Sequence, residues 1–147
     1  MAKWIDIPPT WLALCIALGW AQAALWPVAW PGWGRPLGGL LIATGLALML
    51  AAVLEMRRRR TTPLPHLMPS ALVRTGVFRV SRNPIYLGDL LLLAGAGLAL
   101  GSWLALLAVP VLAWLLDRRF IRPEEERLRT AFGHDFERYR AGVRRWI

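Results

Sequence analysis

An all-α integral membrane bundle is what this sequence predicts, with about four transmembrane helices. The third and fourth form a short hairpin, and a C-terminal helical segment follows on the cytoplasmic side. Three observations predict it. First, 56% of the 147 residues are hydrophobic, nine are Trp and mean hydropathy is +0.43, too apolar for a soluble domain of this size. Second, the 18 basic residues, against 9 acidic ones, gather between the apolar runs. In a soluble protein a pI near 11.5 would suggest nucleic acid, but this placement points instead to cytoplasmic loops and anionic headgroups. Third, the polar end of the chain carries Leu128, Phe132, Phe136, Tyr139, Val143 and Trp146 at three- and four-residue spacing, the period of a helix. The length is that of one domain, residues 1–147.

The elements follow in order. Lys3, Trp4 and Asp6 sit in a short lead, and Pro8-Pro9 breaks any helix continuing inward. Residues 11–30 are long enough for a first span, and Ala13, Ala17 and Ala21 form a small-residue stripe where another helix can approach. Ala21-Gln22-Ala23 resembles a signal-peptide cleavage site, but the segment before it is poor in charge and the apolar run continues past it. Cys15, the only cysteine, is a packing residue inside that run. Trp, Pro and Gly between Trp26 and Pro36 make a tight turn at the far interface.

Residues 37–55 are the second span, with Ala43, Ala47 and Ala51 as its small stripe. Glu55 and the four arginines Arg57–Arg60 close it and mark the inside. The loop 56–83 contains Pro63, Pro65 and Pro69, so it cannot be one helix and lies along the cytoplasmic surface. Residues 85–101 and 102–117 are too many for one span and few for two. Gly101-Ser102 turns them into a short hairpin sunk toward the cytoplasmic side, with Pro110 kinking its second arm. The region 118–147 is a helical segment at that same surface, which Gly133 divides. Four spans put both termini and the polar segments on one side. His66 and His134 have no partners at metal spacing, so no metal is expected.

The run Thr75-Gly76-Val77-Phe78-Arg79-Val80-Ser81-Arg82-Asn83-Pro84-Ile85-Tyr86-Leu87-Gly88 is followed, beyond the hairpin, by Pro123-Glu124-Glu125-Glu126-Arg127-Leu128, then Phe132-Gly133 and Tyr139. Two blocks in this order resemble the isoprenylcysteine carboxyl methyltransferase and phospholipid methyltransferase superfamily, and the resemblance covers about half the chain, from Leu72 onward. It implies a membrane enzyme that uses S-adenosylmethionine and releases S-adenosylhomocysteine. It also implies a cofactor pocket between the first block and the helix with the paired glutamates. Its candidate cofactor residues here are Gly76, Phe78, Arg79, Arg82, Asn83, Pro84, Tyr86, Leu87, Gly88, Asp89, Glu124, Glu125, Leu128, Phe132 and Tyr139, and its catalytic candidates are Arg82, Asn83 and Glu124. The family often has His at the position of Asn83 and Tyr at that of Phe136, which weighs against proton transfer at the one and a hydroxyl role at the other.

Residue chemistry is compatible. Glutamates offer acceptors for ribose hydroxyls and an ammonium, arginines offer donors for a carboxylate, and Phe78, Tyr86 and Phe132 offer faces for adenine or a sulfonium. Adjacent glutamates on a helix point about 100° apart. One of Glu124 and Glu125 is expected to face the ligand and the other an arginine, with Glu126 facing away. Without the first block, the three would be simply acids suited to a helix start after Pro123. Asp89 is the one charge inside the apolar run to Leu116. It either pairs with Arg118 or Arg119, or helps bind the cofactor or a cationic acceptor. In-line methyl transfer needs alignment and exclusion of water more than a general base. The expected acceptor is small or lipophilic and comes from the bilayer, of carboxylate, phospholipid amine or thiol type. The alternatives are an NADPH-dependent membrane reductase of the sterol reductase type and a non-enzymatic four-helix membrane protein.

Overall fold

A computed structural model describes residues 6–26, 28–61 and 70–147. The expectations for Lys3, Trp4, Pro63, Pro65, His66 and Pro69 fall outside them. The described residues are helical, without strands: α1 (Pro8–Leu25), α2 (Gly34–Arg58), a 3-10 turn (Gly76–Arg79), α3 (Pro84–Leu100), α4 (Trp103–Leu116), a π-helical turn (Asp117–Ile121) and α5 (Arg122–Gly142). The all-α membrane bundle predicted from the sequence is the fold observed.

Pro8 and Pro9 open α1 rather than stopping a helix. They occupy its first turn, where the N–H groups have no intrahelical acceptor to lose. Pro84 opens α3 in the same way. At the other end of α3, Gly101 caps the helix at φ 71°, and Ser102 starts α4 by accepting a hydrogen bond from the Ala105 amide at 3.1 Å. The expected hairpin therefore turns where Gly101-Ser102 placed it. The Val28 amide donates to the Gly101 carbonyl at 2.9 Å, so the α1–α2 and α3–α4 connections meet at one end of the bundle. Gln22 ties that end together. Its Oε1 accepts from Ser102 Oγ at 2.7 Å and the Leu104 amide at 3.3 Å, and its Nε2 donates to the Trp26 carbonyl at 2.6 Å.

α3 is the central helix. It packs on α1, α2 and α4, whereas α1 and α2 make next to no contact with each other. The α2–α3 contact is made by glycines, not by the alanine stripe expected on α2. A Cβ on Gly38 would lie 2.6 Å from the Gly95 carbonyl oxygen, and one on Gly95 would lie 2.6 Å from that of Gly38. Gly45 and Gly88 repeat this reciprocity at 2.9 Å. Ala43 and Ala47 are exposed, as are Ala13, Ala17 and Ala21 on α1, which buries Leu12, Gly19 and Ala23 instead. On α2 the packed face needs a closer backbone approach than alanine permits, so Ala43 and Ala47 face outward.

α1 and α2 are long and apolar enough to cross a membrane, yet only 28% and 17% of their most apolar windows are buried within the fold. Trp20, Leu25, Leu40, Leu50, Leu107 and Trp114 are among the large apolar side chains left outside. Such a surface is suited to hydrocarbon, not water. α3 and α4, with 17 and 14 residues, are the short arms expected of the hairpin. Their lengths are about 25 and 21 Å against a hydrocarbon core of about 30 Å.

The glycine contact yields a comparison of opposite signs. Gly38→Ala and Gly45→Ala are expected to destabilise by about 1–3 kcal/mol through overpacking. Gly39→Ala, whose Cβ meets nothing within 4 Å, should be neutral or stabilising because alanine favours the helix. Thermal melts of the three variants in detergent check this.

Candidate functional site at the polar end of the bundle

The other end of the bundle gathers the polar segments. The return of the loop is pinned to the end of α2: the Thr75 hydroxyl donates to Glu55, and Arg59 Nη2 donates back to Thr75 Oγ1 at 3.2 Å. Gly76, at φ 60°, turns the chain beside Glu55 and sends Phe78 into a small core with Ala52 and Val73. The N-terminal lead comes in through Asp6, which pairs with Arg119 at 2.8 Å.

α4 does not stop at Leu116. The π turn carries it into α5 and sets Phe120 against Tyr86, with ring centroids 6.4 Å apart. α5 then runs to Gly133, which leaves helical geometry at φ 48°, the division expected there. Phe136 and Tyr139 are buried, and the Tyr139 hydroxyl donates to the Phe78 carbonyl at 2.7 Å. Burial pushes that phenol up to about 12. After Gly142 the tail turns back along the first motif block. The Arg82 amide donates to the Arg144 carbonyl at 3.1 Å, and Asn83 Nδ2 donates to the Arg145 carbonyl at 2.9 Å.

The three adjacent glutamates part company as helical spacing requires. Glu124 Oε2 accepts from the Tyr86 hydroxyl at 3.0 Å. Glu125 is held by Arg82 at 3.0 Å and by Arg145 at 2.7 Å, and Arg145 also reaches Asp117 at 2.7 Å. Glu126 is exposed and pairs with Arg129. Burial pulls the Arg82 guanidinium below its ordinary range, with Glu125 opposing the shift, while hydrogen bonds to Glu125 raise Arg145. Burial raises the Glu124 carboxyl above its ordinary 4.5, and the bond from Tyr86 and the charge of Arg127 work against that rise.

These residues surround a cavity of about 240 Å³. Of the residues singled out from sequence, Phe78, Arg82, Asn83, Pro84, Tyr86, Asp89 and Glu124 line it. Gly76, Arg79, Leu87, Gly88, Glu125, Leu128, Phe132 and Tyr139 are outside its lining. Of these, Gly88 faces α2, Arg79 is exposed, and Glu125 and Tyr139 brace the wall from behind. Sequence reasoning missed Ile7, Pro8 and Pro9 at the start of α1, Met49, Val53 and Met56 on α2, and Ile85. Ile85 lies inside the first motif block without having been singled out, and no motif marks the others. For Ile7, Pro8, Pro9 and Met56, position at the polar end of a helix could have suggested them.

Asp89 is 1% exposed, and its carboxyl oxygens have no hydrogen-bond partner among the described residues. Of the two alternatives read from the sequence, the pairing with Arg118 or Arg119 does not occur. Arg118 stacks on Trp114 at 5.9 Å, and Arg119 is engaged by Asp6 and the ring of Trp11.

A membrane-embedded α-bundle whose two motif blocks close on one acid-bearing cavity is the class of protein defined here. Residues 33–135 match the family described as phospholipid methyltransferase, and the chain belongs to that family. The resemblance read from the two blocks is thus shown, and membership implies methyltransferase activity. The chain is also similar to an "Uncharacterized protein" of Haemophilus influenzae (strain ATCC 51907 / DSM 11121 / KW20 / Rd). The two are 38% identical over 63 residues, 43% of this chain and 100% of that one. No solved structure matches.

A carboxyl raised on folding contributes most to stability below its unfolded value, and that contribution fades as pH rises from there through the folded value. Glu124→Gln keeps an acceptor for Tyr86 and removes the titration. Relative to wild type, its melting temperature is expected to climb as pH rises from the ordinary glutamate value of about 4.3. Parallel pH series of thermal melts test it, and parallel curves would contradict the assigned shift.

Proposed function

We propose that this protein is an S-adenosylmethionine-dependent methyltransferase of the membrane whose cofactor site is the cavity between the first motif block and α5. The observation that carries the proposal is the Tyr86–Glu124 hydrogen bond, 3.0 Å long, which joins the two blocks at the cavity wall. The donor set suits this cofactor. Glu124 offers acceptor oxygens, and Arg82 brings N–H groups (Nε has no hydrogen bond) to the same wall. Tyr86 and Phe78 contribute aromatic surface. When bound, S-adenosylmethionine supplies a methyl group made electrophilic by its sulfonium.

The chain's own part is to bind, orient and exclude water. Arg82 is braced by Glu125, which Arg145 holds in turn, so the guanidinium keeps one orientation at the wall. Tyr86 fixes the Glu124 carboxyl. Asn83 spends its side-chain amide on the Arg145 carbonyl and so acts in holding the tail. Tyr139 supports the wall from behind through its bond to the Phe78 carbonyl, and Gly88 through its packing on α2.

The acceptor is a small or lipophilic molecule that comes from the bilayer. The bundle is one domain with four spans, α1 to α4, the last two being the short hairpin. Both termini and the site face the cytoplasm, because Arg57–Arg60 follow α2 at the end where the site lies. The cofactor is made on that side.

Equilibrium binding of S-adenosylhomocysteine to the detergent-solubilised protein tests the cofactor. Glu124→Ala is expected to weaken it tenfold or more, about 1.4 kcal/mol. Unchanged affinity in that variant, or binding of NADPH in its place, would remove the proposed site. A methyl-transfer screen with labelled donor against lipid extracts then identifies the acceptor.

A further inference from the structure

The end of the bundle away from the candidate site holds a second cavity, of about 470 Å³. That volume is within the roughly 300–1,000 Å³ typical of small-molecule sites. Val28, Trp30 and Arg35 line it from the α1–α2 connection and the start of α2. Leu98, Leu100 and Gly101 line it from the end of α3. About 25 Å of α3 separates it from the first motif block. The function proposed above makes no use of it.

Arg35 is the only charged residue between Asp6 and Glu55, and none lies between Asp89 and Asp117. Both helix connections at this end fall inside those two stretches. Arg35 is therefore the one charge here, and its side chain has neither ion pair nor hydrogen bond among the described residues. On the orientation proposed above, it also stands beside a short translocated loop, where arginine is disfavoured. Trp30 carries a second unmet donor, since its indole N–H is buried and finds no acceptor. A lone guanidinium that costs insertion and gains no partner within the chain calls for an anion from outside it.

The neighbouring side chains say where that anion resides. Trp26, Trp33 and Trp103, from the α1–α2 connection and the start of α4, are exposed at this same end. Indole rings exposed at the end of a membrane bundle lie at headgroup level. The anion at that level is a lipid phosphate, which a guanidinium can meet with two parallel N–H···O bonds. No acid stands at this end to receive a headgroup cation, so a net-anionic headgroup fits and a zwitterionic one leaves its cation unmet.

We propose that this cavity binds the phosphodiester of an anionic lipid headgroup, with Arg35 as its charged ligand. The lipid is held there and not transformed, because the acid-bearing cavity is at the opposite end of α3. The proposal is independent of the methyl-transfer reading.

Equilibrium binding to the full chain in detergent tests it, with a short-chain phosphatidylglycerol, the matching diacylglycerol and inorganic phosphate as probes. Wild type is expected to bind phosphatidylglycerol about tenfold or more tighter than diacylglycerol. Arginines at the other end also attract anionic headgroups, so variants at the two ends are compared. Arg35→Gln should lose about fivefold or more in phosphatidylglycerol affinity, and Arg57→Gln should stay within about twofold of wild type. Arg35→Lys keeps the charge without the fork and should fall between them. Arg35 is exposed, so thermal melts without lipid should match wild type. If Arg35→Gln does not fold, Arg35→Lys against Arg57→Lys carries the same comparison. Wild-type affinity in the Arg35 variants overturns the proposal, as does an equal loss in the Arg57 variants or no preference in wild type. Inorganic phosphate bound as tightly as phosphatidylglycerol overturns the assignment to a lipid.

Discussion

The backbone-to-backbone contact of α2 and α3 is the constraint on which the rest of the structure depends. Gly38 with Gly95 and Gly45 with Gly88 leave no room for a Cβ on either helix, so the two axes run close and their relative rotation has little freedom. Gly88 sits between Tyr86 and Asp89 in sequence. Once it is pressed against Gly45, the helical period dictates where its neighbours go: Tyr86 toward Phe120 and Asp89 into the space beside Met49. The chemistry at the mouth of the cavity is therefore set by a contact that carries no chemistry itself. In hydrocarbon, where lipid competes equally for apolar side chains, such close packing replaces the hydrophobic effect as the force that orders helices.

The polar end is organised by charge. Arg82, Glu125, Arg145, Asp117 and Arg122 form one chain of ion pairs in which two acids bridge three bases. Pairs removed from water gain little net stability, because desolvation offsets their attraction. Their value here is geometric. Arg145 belongs to the returning tail, Glu125 to α5, Asp117 to the π turn and Arg82 to the first motif block. The network thus fixes four segments against one another, with the Tyr139 hydroxyl and the Asn83 amide adding neutral ties. Of that cluster only Arg82 lines the cavity, together with the acids Glu124 and Asp89. Glu124 has Tyr86 as a donor and Arg127 as a nearby positive charge, so the uncompensated acid is Asp89.

Much of this was legible in the sequence, and the rest was not for identifiable reasons. The turn at Gly101-Ser102 could be read because only a few residues tolerate left-handed geometry or cap a helix. The split among Glu124, Glu125 and Glu126 could be read because adjacent helical residues must diverge. The alanine stripes misled because a row of small residues looks the same whether it faces a helix or lipid. Only the steric demand of the real contact selects glycine. Met49, Val53 and Met56 were invisible as cavity residues because an apolar side chain on a span carries no signature of what it faces. Pro8 and Pro9 were taken as an interruption because proline opens helices as readily as it breaks them, and sequence alone does not say which side of the proline is helical. Asn83, marked as a catalytic candidate, gives its amide to a tail carbonyl, a partner that backbone atoms offer without any pattern.

The lengths of the helices bear on how polar and apolar molecules could meet. α3 and α4 are shorter than the hydrocarbon core is thick, while α2 has 25 residues. Since the α1–α2 and α3–α4 connections are tied at one end by Gln22 and the Val28–Gly101 bond, the shortfall accumulates as local thinning around the hairpin or as displacement of the hairpin along the normal. Either outcome would bring the first turns of α3 nearer the headgroup region, with Asp89 about one turn further along the helix than Tyr86. A water-soluble molecule would then reach the cavity at Arg82 and Glu124 without crossing hydrocarbon. On the function proposed above, the short hairpin would let one cavity be reached from both water and hydrocarbon.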